Sequence, residues 1–184
     1  MPRKDRPRVE LPSWAVVKDK RRKHVGRVVA LLEQWARAMR LSAEERDAWM
    51  TAGLLHDALR DAPEPLLREL SGDATTAAEL LHGPAAAKRA ERDGEHRADV
   101  LDAVRYHTIG KPGWSRTGRA LFMADFLEPK RKFLRRKRAA IARRVPKDFD
   151  GAFRDVLRMK IERALGFDGD IYPETAALWN ATVE

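Results

Sequence analysis

The residues of this chain best suited to chemistry are four histidines and two aspartates, in the order His24, His56-Asp57, His82, His107 and Asp125. Imidazole and carboxylate donors together suit borderline and hard divalent metals such as iron, manganese or zinc. There is no cysteine, so thiolate metal sites, iron–sulfur clusters, disulfides and a thiol nucleophile are excluded. Six donors exceed what one ion with open positions needs. Two ions about 3.5–4 Å apart, bridged by a carboxylate and a hydroxide, would use all six and leave room for substrate. Each residue alone also has a plainer role: His24 as a partly buried polar group, His82 as a helix cap, His107 as a helix-end cation. Asp125 lies between apolar residues in LFMADFLEP. A carboxylate buried there must be paired, hydrogen-bonded or bound to a cation. His96, in the charged stretch ERDGEHRADV, stays outside the set.

The elements that must position these residues read as helices almost throughout. Val25, Val28, Val29, Leu32, Trp35, Ala36 and Met39 follow three-and-four spacing, the mark of one buried helical stripe. Ser42 with Glu45 makes a capping box before a second helix. Its apolar face runs through Trp49, Ala52, Leu55 and Leu59, which places His56 and Asp57 on that helix, about 100° apart. Pro63 and Pro84 can each sit in a first helical turn. Val100, Leu101 and Val104 mark a helix ending near His107. Ser115 caps the helix that carries Asp125, and Pro129 ends or bends it. Phe153, Val156, Leu157, Ile161 and Leu165 form another stripe, with Gly166 as its cap, and Tyr172-Pro173 opens a last short helix. No alternating run is long enough for a strand. The expectation is an all-α helical bundle of eight to ten helices in a single domain, preceded by a basic, partly ordered N-terminal extension over residues 1–20.

The 184 residues carry 37 Lys and Arg against 28 Asp and Glu, a net charge of +9. That balance favours anionic partners. Between Lys130 and Arg144 stand nine basic residues and no acid. This block reads as a solvated helix face or as a surface that meets phosphates. The N-terminus lacks the apolar core of a secretory signal, and no stretch has the length of a membrane span. The reading is a cytoplasmic protein with no membrane partner; a homodimer through a spare apolar face is allowed.

The order His, His-Asp, His, His, Asp resembles the HD superfamily of metal-dependent phosphohydrolases. The flanking segments RRKHVGRV, LLHGPAAA, YHTIGKPGWSRTGRALFMADFLEPKRKF and DIYPETAALWN are similar to the YqeK-type branch of that superfamily, with its HG, HTxG, AD-x-I-E-P-x-R and I-x-P-x-T words. The similarity runs from Arg21 to Asn180. Arg60 stands where the branch has Lys and Leu127 where it has Ile, and Arg and Lys are not equivalent around phosphate. The resemblance implies an HD domain over residues 21–184 that hydrolyses diadenosine tetraphosphate symmetrically to two ADP. It implies two divalent ions, iron first, with manganese, cobalt or zinc as alternatives, held by His24, His56, Asp57, His82, His107 and Asp125, with Asp57 as the bridge.

On that reading a hydroxide between the ions attacks a β-phosphorus in line. Asp57 and Arg131 would be catalytic. Arg21, Arg60, Lys111 and Arg131 would stabilise phosphoryl charge, and Arg131 ranks first because it follows the Glu128-Pro129 turn from Asp125. Thr108 and Gly110 would shape the loop after His107 beside phosphate. Glu128 would hydrogen-bond a ligand or orient Arg131, and Asp61 would act from behind the ligands or simply face solvent. The competing readings are another HD-domain nucleotide phosphohydrolase or phosphodiesterase, and a basic RNA-binding module with nucleic acid held by the Lys130–Arg144 block.

Overall fold

The computed structural model describes residues 10–183. The first nine residues, within the stretch expected to be an extension, lie outside them. Nine α-helices follow in order: α1 Asp19–Ala38, α2 Ala43–Leu55, α3 Glu64–Ser71, α4 His82–Arg92, α5 Ala98–Tyr106, α6 Arg116–Leu127, α7 Arg135–Arg144, α8 Phe149–Leu165 and α9 Pro173–Val183. A 3₁₀ turn at Ala78–Leu80 precedes α4. No strand occurs among the described residues. None of their helices is long and apolar enough to cross a membrane.

The bundle is organised around α6. Its buried residues include Ala120, Leu121, Phe122, Met123, Ala124, Phe126 and Leu127, so it is apolar on nearly every side, the pattern of a helix enclosed by others. It packs against α1, α2, α5, α7 and α8. Trp35, Trp49, Phe122 and Phe153 fill the core between them. Asp125 is thus carried into the middle of the molecule on an apolar rod.

Local chemistry sets the ends. Ser42 Oγ accepts from Glu45 N at 3.1 Å and Ser115 Oγ from Gly118 N at 3.1 Å, as N-caps should. The Ser42 box is only half made, because the Glu45 carboxylate turns to Arg116 at 3.4 Å. Glu128 is extended, with φ −52° and ψ 138°, the conformation a following proline imposes, so α6 stops two residues before Pro129. Leu165, expected on a buried stripe, is 61% exposed, since α8 runs past the body of the bundle at its end.

Two close approaches bring the site together. A Cβ on Gly83 would lie 2.9 Å from the carbonyl oxygens of Val104 and Arg105. Only glycine lets the start of α4 press onto the end of α5, which places His82 beside His107. Before α1, Val16 N donates to Ala58 O at 2.8 Å and Asp61 N donates to Val16 O at 3.2 Å. Lys18 N adds a bond to Asp61 Oδ2 at 2.8 Å. This short strap grips the turn that follows α2.

Candidate metal centre

His24 comes from the second turn of α1, His56 and Asp57 from the end of α2, His82 from the start of α4, His107 from the end of α5 and Asp125 from α6. The expectation of one helix through Leu59 fails here: α2 ends at Leu55, with His56 as its cap. The turn beyond is tighter, with Ala58 N bonded to Leu55 O and Arg60 N to Asp57 O at 3.0 Å each, the i→i+3 pattern of a 3₁₀ turn. The change of pitch turns Asp57 toward the same centre as His56.

Asp57 is 3% exposed and stands between two pairs of imidazoles. Its Oδ2 lies 3.7 Å from His24 Nε2 and 3.6 Å from His56 Nε2. Its Oδ1 lies 3.3 Å from His82 Nε2 and 3.6 Å from His107 Nε2. Among the described residues, two sets of donor atoms each converge within 4.8 Å: His24, His56 and Asp57, and Asp57, His82 and His107. Asp57 belongs to both. Asp125 adjoins the first set, with Oδ1 3.0 Å from His24 Nε2.

The rings are aimed from behind. Nδ1 of His56 is 2.8 Å from Gly53 O, that of His82 is 3.0 Å from Glu79 O, and that of His107 is 2.8 Å from Val104 O. Each Nδ1–H is thereby donated to a carbonyl three residues earlier, leaving the Nε2 lone pair facing inward as a ligand requires. His24 Nδ1 instead faces Glu128 Oε1 at 3.6 Å. His56 Nε2 is buried without a hydrogen-bond partner among the described residues, and His24 Nε2 has only the Asp125 carboxylate, at 3.0 Å. A buried nitrogen left without a partner is costly, and a cation between the rings would satisfy His56 Nε2. Four imidazoles, carboxylates and no sulfur fit a divalent transition metal.

The electrostatics agree. Burial alone would raise the Asp57 carboxyl, but the surrounding His56, His107 and His82 hold it well below the usual range. Burial likewise opposes ionisation of Asp125, and Arg131 and His24 outweigh it. Burial lowers His56 to about 4, so it is neutral near pH 7. Burial would lower His24 too, but the adjacent carboxylates of Asp125 and Glu128 raise it to about 9. The carboxylates around His24 therefore favour positive charge at that spot.

The remaining expected residues separate into two groups. Arg21 Nη1 reaches Asp57 Oδ2 at 2.7 Å, and Arg131 bonds both the backbone oxygen and the Oδ1 of Asp125 at 2.9 and 2.5 Å. Thr108 Oγ1 lies 3.3 Å from His107 Nε2. Arg60 is near enough for its charge to weigh on His82. Arg21, Arg131 and Thr108 thus face the centre. Lys111 does not: it pairs with Asp102 at 2.7 Å and lies over the Tyr106 ring. Gly110 has φ +76°, and a Cβ there would strike Leu178 of α9 at 2.4 Å; its missing side chain seats α9. Glu128 is buried, its carboxylate taken by Arg27 Nε at 2.6 Å and Lys130 N at 3.0 Å, so it braces His24 and leaves Arg131 to Asp125. Asp61 serves the strap. Trp114 packs edge to face on Phe122 inside the core.

Two cations near the centre escaped the sequence reading. Arg27, one turn after His24, holds Glu128 in place. Lys160 on α8 donates to Thr108 O at 3.1 Å and lies 3.8 Å from the centroid of Phe122. Burial pushes its ammonium down to about 8. A signal existed: Lys160 falls on the apolar stripe between Leu157 and Ile161, where a charge must be buried.

Hollows open on either side. A cleft of about 620 Å³ is lined by Lys20, Arg21, His24, Arg27, Arg131 and Lys132 among others. A cavity of about 610 Å³ beyond Thr108 is lined by Leu80, Pro84, Tyr106, Ile109 and Tyr172, with Lys88 and Arg105 at its edge.

Residues 21–158 match the HD domain family. The chain is 35% identical over 103 residues to a protein of Halalkalibacterium halodurans named symmetrical bis(5'-nucleosyl)-tetraphosphatase, covering 55% of this chain and 54% of that one. It is 32% identical over 104 residues to a protein of the same name from Bacillus subtilis, covering 52% and 55%. The chain thus spans about half the length of the curated relatives it matches. Among solved structures, a protein from Clostridium acetobutylicum described as a predicted HD superfamily hydrolase involved in NAD metabolism superposes with a TM-score of 0.78 and 24% identity over 91% of this chain and 90% of that one. That likeness concerns the fold.

Proposed function

Given that this chain belongs to the HD domain family, we propose that it is a metal-dependent phosphohydrolase that cleaves diadenosine tetraphosphate symmetrically into two ADP, the reaction named for its curated relatives. The observation that carries the reading is the placement of Asp57, one carboxylate between two imidazole pairs. His24, His56, Asp57 and Asp125 would hold one divalent cation, and Asp57, His82 and His107 a second. Iron is the first choice, with manganese, cobalt or zinc as alternatives. Such cations supply Lewis acidity to the phosphoryl oxygens and make hydroxide available near neutral pH.

The chain's own residues do the rest. The carbonyls behind His56, His82 and His107, and Glu128 behind His24, keep the rings aimed, so no reorganisation is needed at the moment of reaction. Arg21 and Arg131, already poised on Asp57 and Asp125, present their free N–H groups to the tetraphosphate, where planar donors match phosphate oxygens. Arg60 and Lys160 add positive charge on the His82 and Thr108 sides. The Tyr106–Tyr172 cavity takes one nucleoside, since its aromatic faces suit a base and polar side chains such as Asp73, Thr76 and Glu174 in its lining suit the polar groups of a nucleoside. Residues 21–184 would form the catalytic domain, with the strap at Trp14–Lys18 bracing it from the extension.

The test is product analysis with purified protein and added divalent iron or manganese. ADP as the only nucleotide product supports the reading; AMP plus ATP would place the attack elsewhere on the chain of phosphates, and activity confined to other nucleotides would favour a different HD phosphohydrolase. Metal analysis should approach two ions per chain.

A further inference from the structure

The two sides of the centre are unlike. On the Thr108 side lies a cavity of nucleoside size with Tyr106 and Tyr172 in its walls. On the His24 side the cleft is lined by no Phe, Tyr or Trp among the described residues and is rich in cations. Nor does it end there. Beyond the 127–132 turn a second groove, of about 630 Å³, runs between α1 and α7. Leu31, Leu127 and Pro129 floor it and Arg135, Arg136 and Arg143 rim it. The same two segments of chain, α1 and the 127–132 turn, line both cleft and groove. Lys130, Arg131 and Lys132 face the cleft while Leu127 and Pro129 face the groove. Along α1, Lys20, His24 and Arg27 line the cleft and Leu31 and Gln34 the groove. Those five positions recur at intervals of four and three and so share one helix face. At 1.5 Å per residue they span about 21 Å. Arg135, Arg136 and Arg143 are exposed and pair with no carboxylate among the described residues, whereas Arg138 and Arg144 of the same helix are spent on the fold.

One end of the site is thus shaped for a single nucleoside, and the other is an open cationic track that runs on past the cleft to a groove rimmed by three arginines without carboxylate partners among the described residues. We propose that the chain also hydrolyses RNA whose 5′ end carries the same tetraphosphate-linked nucleoside, with the RNA strand laid along α1 and α7. The proposal rests on the function proposed above, and extends its substrate from a free dinucleotide to a polymer end. RNA is the polyanion of choice because RNA chains begin de novo and keep a 5′-polyphosphate, into which a dinucleoside tetraphosphate can enter as the first unit. The step balances. Water oxygen bonds to the β-phosphorus of the terminal nucleoside, the bond from that phosphorus to the bridging oxygen breaks, and that oxygen leaves with the electron pair. ADP and a 5′-diphosphate RNA result, and the proton of water is released.

The experiment uses the full chain loaded with divalent metal, diadenosine tetraphosphate, and a short RNA joined at its 5′ end to adenosine through four phosphates. The wild type should release ADP and diphosphate-ended RNA. Arg135→Glu, Arg136→Glu and Arg143→Glu together should lower kcat/KM for the RNA substrate by on the order of tenfold while free dinucleotide changes less than about twofold. Three lost phosphate contacts should also flatten the slope of log kcat/KM against log salt by about 2 for the RNA alone. The corresponding triple Arg→Gln variant, with thermal melting of both, separates charge from folding. Cleavage of the free dinucleotide but not of the RNA, or equal losses on both substrates in the folded glutamine variant, overturns the proposal and leaves the function above standing. Failure on both substrates overturns the function as well.

Discussion

The Asp57 centre and the Lys130–Arg144 segment are both rich in charge, and they are built in opposite ways. The centre gathers His24, His56, Asp57, His82, His107 and Asp125 from five helices and the turns at their ends, the four histidines and Asp57 buried and Asp125 half-buried against His24 and Arg131. The basic segment is one stretch of chain in which charge is sorted by face. Arg138 is 1% exposed and donates to the carbonyls of Phe126, Glu128, Arg131 and Phe133 at 2.9, 2.5, 2.8 and 3.3 Å. Arg135, three residues earlier, faces solvent. Convergence from distant segments creates a site for a ligand; a run of like charge becomes a scaffold on one face and a free surface on the other.

That contrast breaks first at Asp57. Asp57→Asn removes a charge from both donor sets at once, and kcat should fall by roughly three orders of magnitude or more, on the scale of the several kcal/mol a bound cation supplies. Bound metal, measured by elemental analysis, should drop with it. A variant that keeps two ions and most of its activity would make the centre no more special than the basic segment.

Within the segment, Arg138→Ala should cost about 3 kcal/mol or more in denaturant unfolding, because it strips the donor from several buried carbonyls. The Glu128 brace is next. Burial alone would raise its carboxyl, but its bonds to His24, Arg27 and Lys130 N hold it at about 2 against an ordinary 4.5. A depressed folded-state value stabilises the fold above pH 4.5, and this is lost as pH falls from 4.5 toward 2. Stability of the Glu128→Gln variant, followed by melting across that window, should show a shallower slope.

Lys160→Met sharpens the picture of the centre's far wall. Removing a buried ammonium that no carboxylate contacts among the described residues should leave the melting temperature equal or higher. Steady-state kinetics should nonetheless show kcat/KM about tenfold lower. The smallest effect belongs to Arg135→Ala, within about 0.5 kcal/mol of wild type in unfolding. Equal costs at Arg135 and Arg138 would show that α7 does not sort its charges by face.

Much of this was legible in the residues. Ser42, Ser115 and Pro129 mark helix ends, and the valine and leucine stripe of α1 marks its buried side. Those signals are local, set within a turn or two by backbone sterics and capping bonds. Lys111 was not legible as a partner of Asp102, nor His24 as the ligand beside Glu128, since a side chain's partner depends on what another helix presents. The end of α2 was missed for a similar reason. The apolar spacing continues through Leu59, but the strap from Val16 holds the turn after Leu55 in a tighter pitch.

By itself, then, the sequence determined an all-helical chain and a donor set of imidazoles and carboxylates without sulfur, because element type and ligand chemistry follow from residue identity and short-range spacing. Only the tertiary structure decided that the two oxygens of Asp57 face different histidine pairs, and that Arg138 is buried while Arg135 is free. Burial and pairing are properties of the space between helices, and that space is shaped by residues far apart along the chain.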